Sequence, residues 1–327
     1  MIHKETVRKI TDYLLQNSEK TSSTGLYNGK AGLSLSLFIA SEFLQDETIE
    51  DTAYKLFQES LIIRSSDIGF ENGLAGIGYT LLYLVENKYL ETDFDEIFGI
   101  QYETIIKSFE NIEKDPMRLV NSLQAIYFLS KVRSLKKEDN RIEEIIKKFF
   151  EGLELFLTVQ FQDFTDIRYI NRKADVLNIH KTYLKLIDYS GYNRFSHALL
   201  EDYVALYRKG KIVSSLGTGF YLNRIAKKHN LKGYEDVIHE NINHGINNIH
   251  VCTLSLKEKI DLAKIIDAIG GKDIKGQDLL PDIEDLQKEK ALQNLFKTMD
   301  ERAFPFGYGA GLGRLLIYCI NKNTELL

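Results

Sequence analysis

Three stretches of this chain repeat one pattern, a glycine-spaced turn that runs straight into an apolar segment. The first places Gly25, Gly29 and Gly32 ahead of the run 33–43, and the second places Gly69, Gly73 and Gly76 ahead of 77–85. The third sets Gly307, Gly309, Gly311 and Gly313 around the start of 312–320. Self-similarity of this kind dictates an architecture of stacked, equivalent units. Weaker copies fall between. Ser122 and Ala125 stand where the glycines stood in 118–128, and Ser214 to Leu222 is a shortened version with Gly217 and Gly219. The segments 175–186 and 252–266 keep a helical pattern without the glycines. About seven units result, roughly 35 to 60 residues apart, which suits one helical hairpin each.

Charged segments separate the glycine-led ones. In 48–61, 141–156, 195–207 and 283–299 apolar residues recur at i, i+3 and i+4, with charge on the opposite face. The glycine-led segments are apolar almost all round and belong inside. Alternation of the two predicts an all-α fold of inner and outer helices, an α/α toroid of about seven hairpins forming one domain over 1–327 that unfolds as one unit. Only 3 prolines occur and no Gly/Ser/Pro-rich linker divides the chain. Small residues at the turns let helix N-termini crowd together, with the first glycine free to take positive φ. Converging N-termini would point unpaired N–H groups at a common hollow. Tyr27, Phe70, Tyr79, Tyr221 and Tyr308, in or beside the glycine turns, would wall that hollow and suit an extended peptide.

Composition narrows the partners. The net charge of −5, with acids and bases interspersed, gives no field for nucleic acid or anionic lipid. No apolar run reaches the length of a membrane span or signal core, so a cytoplasmic location is the expectation. Cys252 and Cys319 read as buried thiols rather than a bridge.

The segments 25–38 and 73–79, with 309–313 at the other end, resemble the first two and the last repeats of the lanthionine synthetase C family, the lantibiotic cyclases. The resemblance implies the α/α toroid and a role in closing thioether rings in a dehydrated precursor peptide, beside a dehydratase. In that family a zinc ion ionises the attacking thiol, held by a Cys in a Trp-Cys-x-Gly segment and by a following Cys-His pair. This chain has no Trp. Ser215 stands where the first Cys would fall, and Thr253 follows Cys252 in place of His. No metal site or other cofactor is therefore expected. His239, His244, His250 and Cys252 lie near one another in sequence, but their spacing does not stack them on one helix face.

Asp175 and His180 keep the spacing of a family pair associated with proton transfer, although Lys181 replaces the Gly that follows. Five residues is about 500° of helix, so Asp175 is expected in the preceding turn or N-cap and His180 facing the hollow. Lys211 falls near a cationic position of the family and would stabilise an enolate. Arg118 replaces an acidic residue the family often has. Without metal, a thiol of pKa about 8.5 passing its proton to a histidine of about 6.5 goes uphill by about 2.7 kcal/mol, slow but allowed. Two functions follow: a zinc-free or vestigial cyclase in peptide maturation, or a non-catalytic scaffold that binds the precursor peptide or a partner enzyme.

Overall fold

A computed structural model describes residues 4–62, 67–164, 173–249, 254–269, 286, 288–300, 308–309 and 311–320. Among them are fifteen α-helices and no strand, so the fold is all-α as the repeats predict. The chain forms two compact units, one of Met1–Ile105 with His250–Leu327 and one of Ile106–Ile249.

The first unit holds α1 (Lys4–Asn17), α2 (Lys30–Leu44), α3 (Glu47–Ile62), α4 (Leu74–Glu86) and most of α5 (Phe94–Phe109), then α13 (Leu256–Ala268), α14 (Glu289–Asp300) and α15 (Leu312–Ile320). Its inner row runs α13, α15, α2, α4, each packed on the next. The outer layer covers that row: α1 lies on α15 and α2, and α3 lies on α2. The two ends of the sequence thus meet in one unit. Burial follows the sequence pattern, since every residue of α2 from Ala31 to Ser41 is buried. The buried serines find acceptors at once. Ser34 Oγ donates to the Ala53 carbonyl of α3 at 2.7 Å, and Ser36 Oγ to Leu33 O of its own helix at 2.8 Å. Helix α2 stops at Gln45, which adopts the left-handed conformation at φ 56°.

The second unit holds α6 (Pro116–Asn121), α7 (Ala125–Leu135), α8 (Asn140–Gln162), α9 (Lys173–Ser190), α10 (His197–Arg208), α11 (Leu216–His229) and α12 (Glu235–Asn247). Helices α7, α9 and α11 pack side by side, with α8 against α7 and α9 and with α12 against α11. Asp139 caps α8 by accepting from Arg141 N. Ile142, Ile146, Phe149, Phe150, Leu153, Leu157 and Phe161 line its buried stripe at helical spacing. Each unit therefore has the inner-and-outer layering of helices from which an α/α toroid is built.

The degenerate third repeat shows what the glycines do. Where Ser122 replaces glycine, the open turn gives way to a helix, α6, capped by Asp115 with Pro116 at its first position. Helix α7 then begins only at Ala125, through tight turns such as Ala125 N to Ser122 O at 2.9 Å.

Candidate functional site

The second unit gathers the polar residues that the sequence singles out. Ser215 has extended backbone and caps α11, its hydroxyl accepting from Thr218 N at 3.5 Å. Its own N–H donates to Asn241 Oδ1 at 2.9 Å, and the Tyr203 hydroxyl donates to the same oxygen at 3.2 Å. Asn241, wholly buried on α12, spends its amide on Val237 O at 2.9 Å. Close approach of α11 and α12 makes these bonds possible. A Cβ on Gly245 would overlap the backbone of Leu216, and one on Gly219 would come within 2.8 Å of Asn241 Cβ. Beside them Tyr207 Oη and Ser214 Oγ share a hydrogen bond of 2.7 Å. Lys211 lies in the turn before α11 and is exposed, its N–H bonded to Leu206 O at 3.0 Å.

His180 lies on the other face of Tyr203. The two rings stack at 4.5 Å, Phe161 meets the imidazole edge-on at 5.3 Å, and Tyr183 follows at 6.2 Å. The imidazole is 0% exposed and neither ring nitrogen has a hydrogen-bond partner among the described residues. Burial alone drives its pKa down to about 3, because nothing in the aromatic box compensates a charge. His180 is therefore a neutral core group at physiological pH. Asp175 sits inside α9 rather than in a preceding turn, and it is exposed. The structure thus brings His180 to Ser215 through Tyr203 and Asn241, and leaves Asp175 and Lys211 at the surface.

Behind Tyr183 stands a residue the sequence reading missed. Glu154 of α8 accepts from the Tyr183 hydroxyl at 2.7 Å and from Ser196 N at 3.0 Å. Burial raises its pKa, and the two donors oppose that rise. Tyr203 and Asn241 were missed as well. A signal for Asn241 does exist: Val237, Asn241 and Gly245 recur at i, i+4 and i+8 on the buried stripe of α12.

The donors gathered at the start of α11 are neutral oxygens: two serine hydroxyls, a threonine, two phenols and an amide. None is a thiolate, imidazole or carboxylate, so this set does not fit the zinc that the family resemblance implies. His239 and His244 are exposed on α12, where Asn243 Nδ2 lies 2.8 Å from the His239 ring. His250, Cys252 and Thr253 lie outside the described residues.

In the first unit the glycine turns form a continuous row. Tyr27 N donates to Glu71 O at 2.7 Å, and Gly309 N donates to Tyr27 O at 2.9 Å, so the last turn bonds to the first and the first to the second. Side chains are excluded at the crossings. A Cβ on Gly32 would overlap Leu26 O, one on Gly76 would overlap Phe70 O, and one on Gly309 would enter the Tyr27 ring. The need is for space, since no described glycine of these turns adopts positive φ, contrary to the expectation from sequence.

The N–H groups expected to face a hollow are also occupied. Lys30 N and Ala31 N donate to Ser23 O and Thr24 O at 2.9 and 3.2 Å, and Leu74 N donates to Asp67 O at 2.8 Å. Each loop curls back to satisfy the helix it starts. Of the five aromatics, Tyr27, Phe70, Tyr79 and Tyr308 are buried and form one chain, with ring centroids at 6.4, 5.3 and 6.3 Å for Tyr27–Phe70, Phe70–Tyr79 and Tyr27–Tyr308. Tyr221 belongs to the second unit, half-exposed beside Phe220.

No curated protein matches the chain. Residues 2–123 match the family model described as lanthionine synthetase C-like protein. The match takes in the first two glycine turns and ends before α7, ahead of every residue around His180 and Ser215. Over residues 2–123 the chain is thus similar to the lanthionine synthetase C-like family.

Proposed function

We propose that this protein serves in the maturation of a ribosomally made, lantibiotic-type peptide as a non-catalytic member of the family, binding the precursor peptide or a dehydratase that modifies it. One observation carries the reading: His180, the residue best matched to a proton-transfer role, is sealed in an aromatic box. A histidine held near pKa 3 makes proton transfer from a thiol uphill by about 7 kcal/mol, against about 2.7 for an ordinary imidazole. The neutral oxygens around Ser215 offer no other way to ionise a thiol. We take the protein to work without a resident zinc and inside the cell. The intact row of glycine turns supports retention of the family's framework where its chemistry has gone.

The test uses a synthetic peptide carrying dehydroalanine and cysteine, incubated with the full chain, with free thiols counted by alkylation and mass spectrometry. Binding by calorimetry with unchanged thiol count is the expected outcome. Thiol loss above the protein-free rate, abolished in His180→Ala, would establish a metal-free cyclase instead. Neither binding nor thiol loss would remove the peptide from the proposal.

A further inference from the structure

The outer layer of the first unit carries a groove of about 630 Å³ between α3 and α5. Its floor is apolar: Phe38 of α2, Phe57 of α3 and Leu81 of α4 are all buried. Its walls are apolar too, and they are open to solvent. Tyr54 and Ile62 of α3 expose 46% and 76% of their surface, and Ile97 of α5 exposes 40%. Ile100, one turn further along α5, exposes 85%. Tyr54 and Ile62 are two turns apart on one face of α3, and Ile97 and Ile100 share a face of α5. An amphipathic helix ordinarily turns such a face inward, so apolar residues meeting along two neighbouring helices mark an interaction surface.

The rim has one sign of charge. Glu50, Asp51 and Glu91 line the groove, and no Lys or Arg does among the described residues. None of the three carboxylates is in an ion pair or a side-chain hydrogen bond with a described residue. Neighbouring carboxylates are occupied differently: Glu42 accepts from Tyr89, and Glu59 pairs with Lys30 at 2.6 Å. Glu50 and Asp51 belong to α3 and Glu91 to the loop before α5, and the distance from Glu50 to Ile62 along α3 is about 18 Å, the length of three helical turns.

We infer that this groove docks a basic amphipathic helix of a partner protein, about twelve residues long, with large apolar side chains on one face and lysines or arginines flanking it. The apolar face fills the space over Phe38, Phe57 and Leu81, and the flanking cations meet the rim acids. Charge complementarity selects a partner over a second copy of this chain, whose own net charge is −5. The inference is independent of the peptide-maturation reading, because the groove uses no residue of α9 to α12.

The probe is a fluorescent fourteen-residue helical peptide with leucines at i, i+3, i+4 and i+7 and lysines flanking them, titrated against the full chain by anisotropy. Its counterpart carries glutamates in place of the lysines. The lysine peptide is expected to bind at least about tenfold more tightly, and to weaken several-fold as salt rises from about 0.05 M to about 0.5 M. Ile97→Lys should weaken it about tenfold. The triple variant Glu50→Lys, Asp51→Lys, Glu91→Lys should reverse the preference and recruit the glutamate peptide, with an unchanged far-UV spectrum in each case. Equal affinity for the two peptides, no binding of either, or groove variants without effect would overturn the inference. So would self-association of the chain that Ile97→Lys abolishes, which would assign the groove to a second copy.

Discussion

His180 gives the fold an acid-sensitive point. Its imidazole titrates near 3 in the folded protein and near 6.5 when the chain is open, so below pH 6.5 the unfolded state holds the extra proton. The stability that depends on a neutral His180 is complete above about pH 6.5 and is lost progressively toward pH 3. The slope is about 1.4 kcal/mol per pH unit, or about 3 kcal/mol by pH 4.5. His180→Phe should change stability by less than about 1 kcal/mol at pH 7.5, since a ring of similar shape fills the box. At pH 4.5 the variant should be the more stable protein, by urea denaturation at both pH values. Equal acid sensitivity in wild type and variant would show that the imidazole is solvated. The spacing from Asp175 picks out His180 in the sequence, but its environment is not legible there. Phe161 and Tyr203 come from α8 and α10, and a local pattern says nothing of which rings close over a side chain. Ser215 was legible for a simpler reason, because the difference between a hydroxyl and a thiol needs no structure.

At the scale of elements, the glycines separate into two kinds that the sequence does not distinguish. Gly76 lies against Phe70 O, and its missing Cβ would also reach Leu26 Cβ at 2.9 Å. Gly99, on α5, would place a Cβ no nearer than 4.0 Å to Asp95. Gly76→Ala must therefore move backbone and should cost more than about 2 kcal/mol. Gly99→Ala removes a flexible residue from a helix interior and should add about 0.5–1 kcal/mol. Chemical denaturation of the pair gives opposite signs if the turns require close packing, and the same sign if they do not. Helix identity is legible in α2 and α8 by opposite patterns: apolar all round, and apolar on one stripe. The turns were read less well. Glycine suggested positive φ and exposed N–H donors, whereas the loop carbonyls at Ser23, Thr24 and Asp67 accept those N–H groups and the glycines serve close approach. A sequence registers that space is needed without showing which atom fills it.

For the whole molecule, the division of the chain matters more than its length. The second unit is continuous in sequence, and the first is assembled from both ends, with α15 seated on α1 and α2. A chain ending at Ile249 lacks α13 to α15 and leaves one side of α2 uncovered. Hydrogen exchange on that truncated chain should show near-native protection in α7 to α12 and fast exchange in α1 and α2. Equal loss in both regions would instead support the single cooperative domain expected from the repeats. The same arrangement sets a schedule during synthesis. Residues of α2 leave the ribosome early, while α15 begins 268 residues after Leu44, an interval of roughly 15 to 50 seconds at typical elongation rates. Throughout that interval a nascent chain carries an almost wholly apolar helix with no partner for one flank. A holding chaperone would find its natural target there, and a slow codon run upstream of α15 would lengthen the exposure without changing a single residue of the protein.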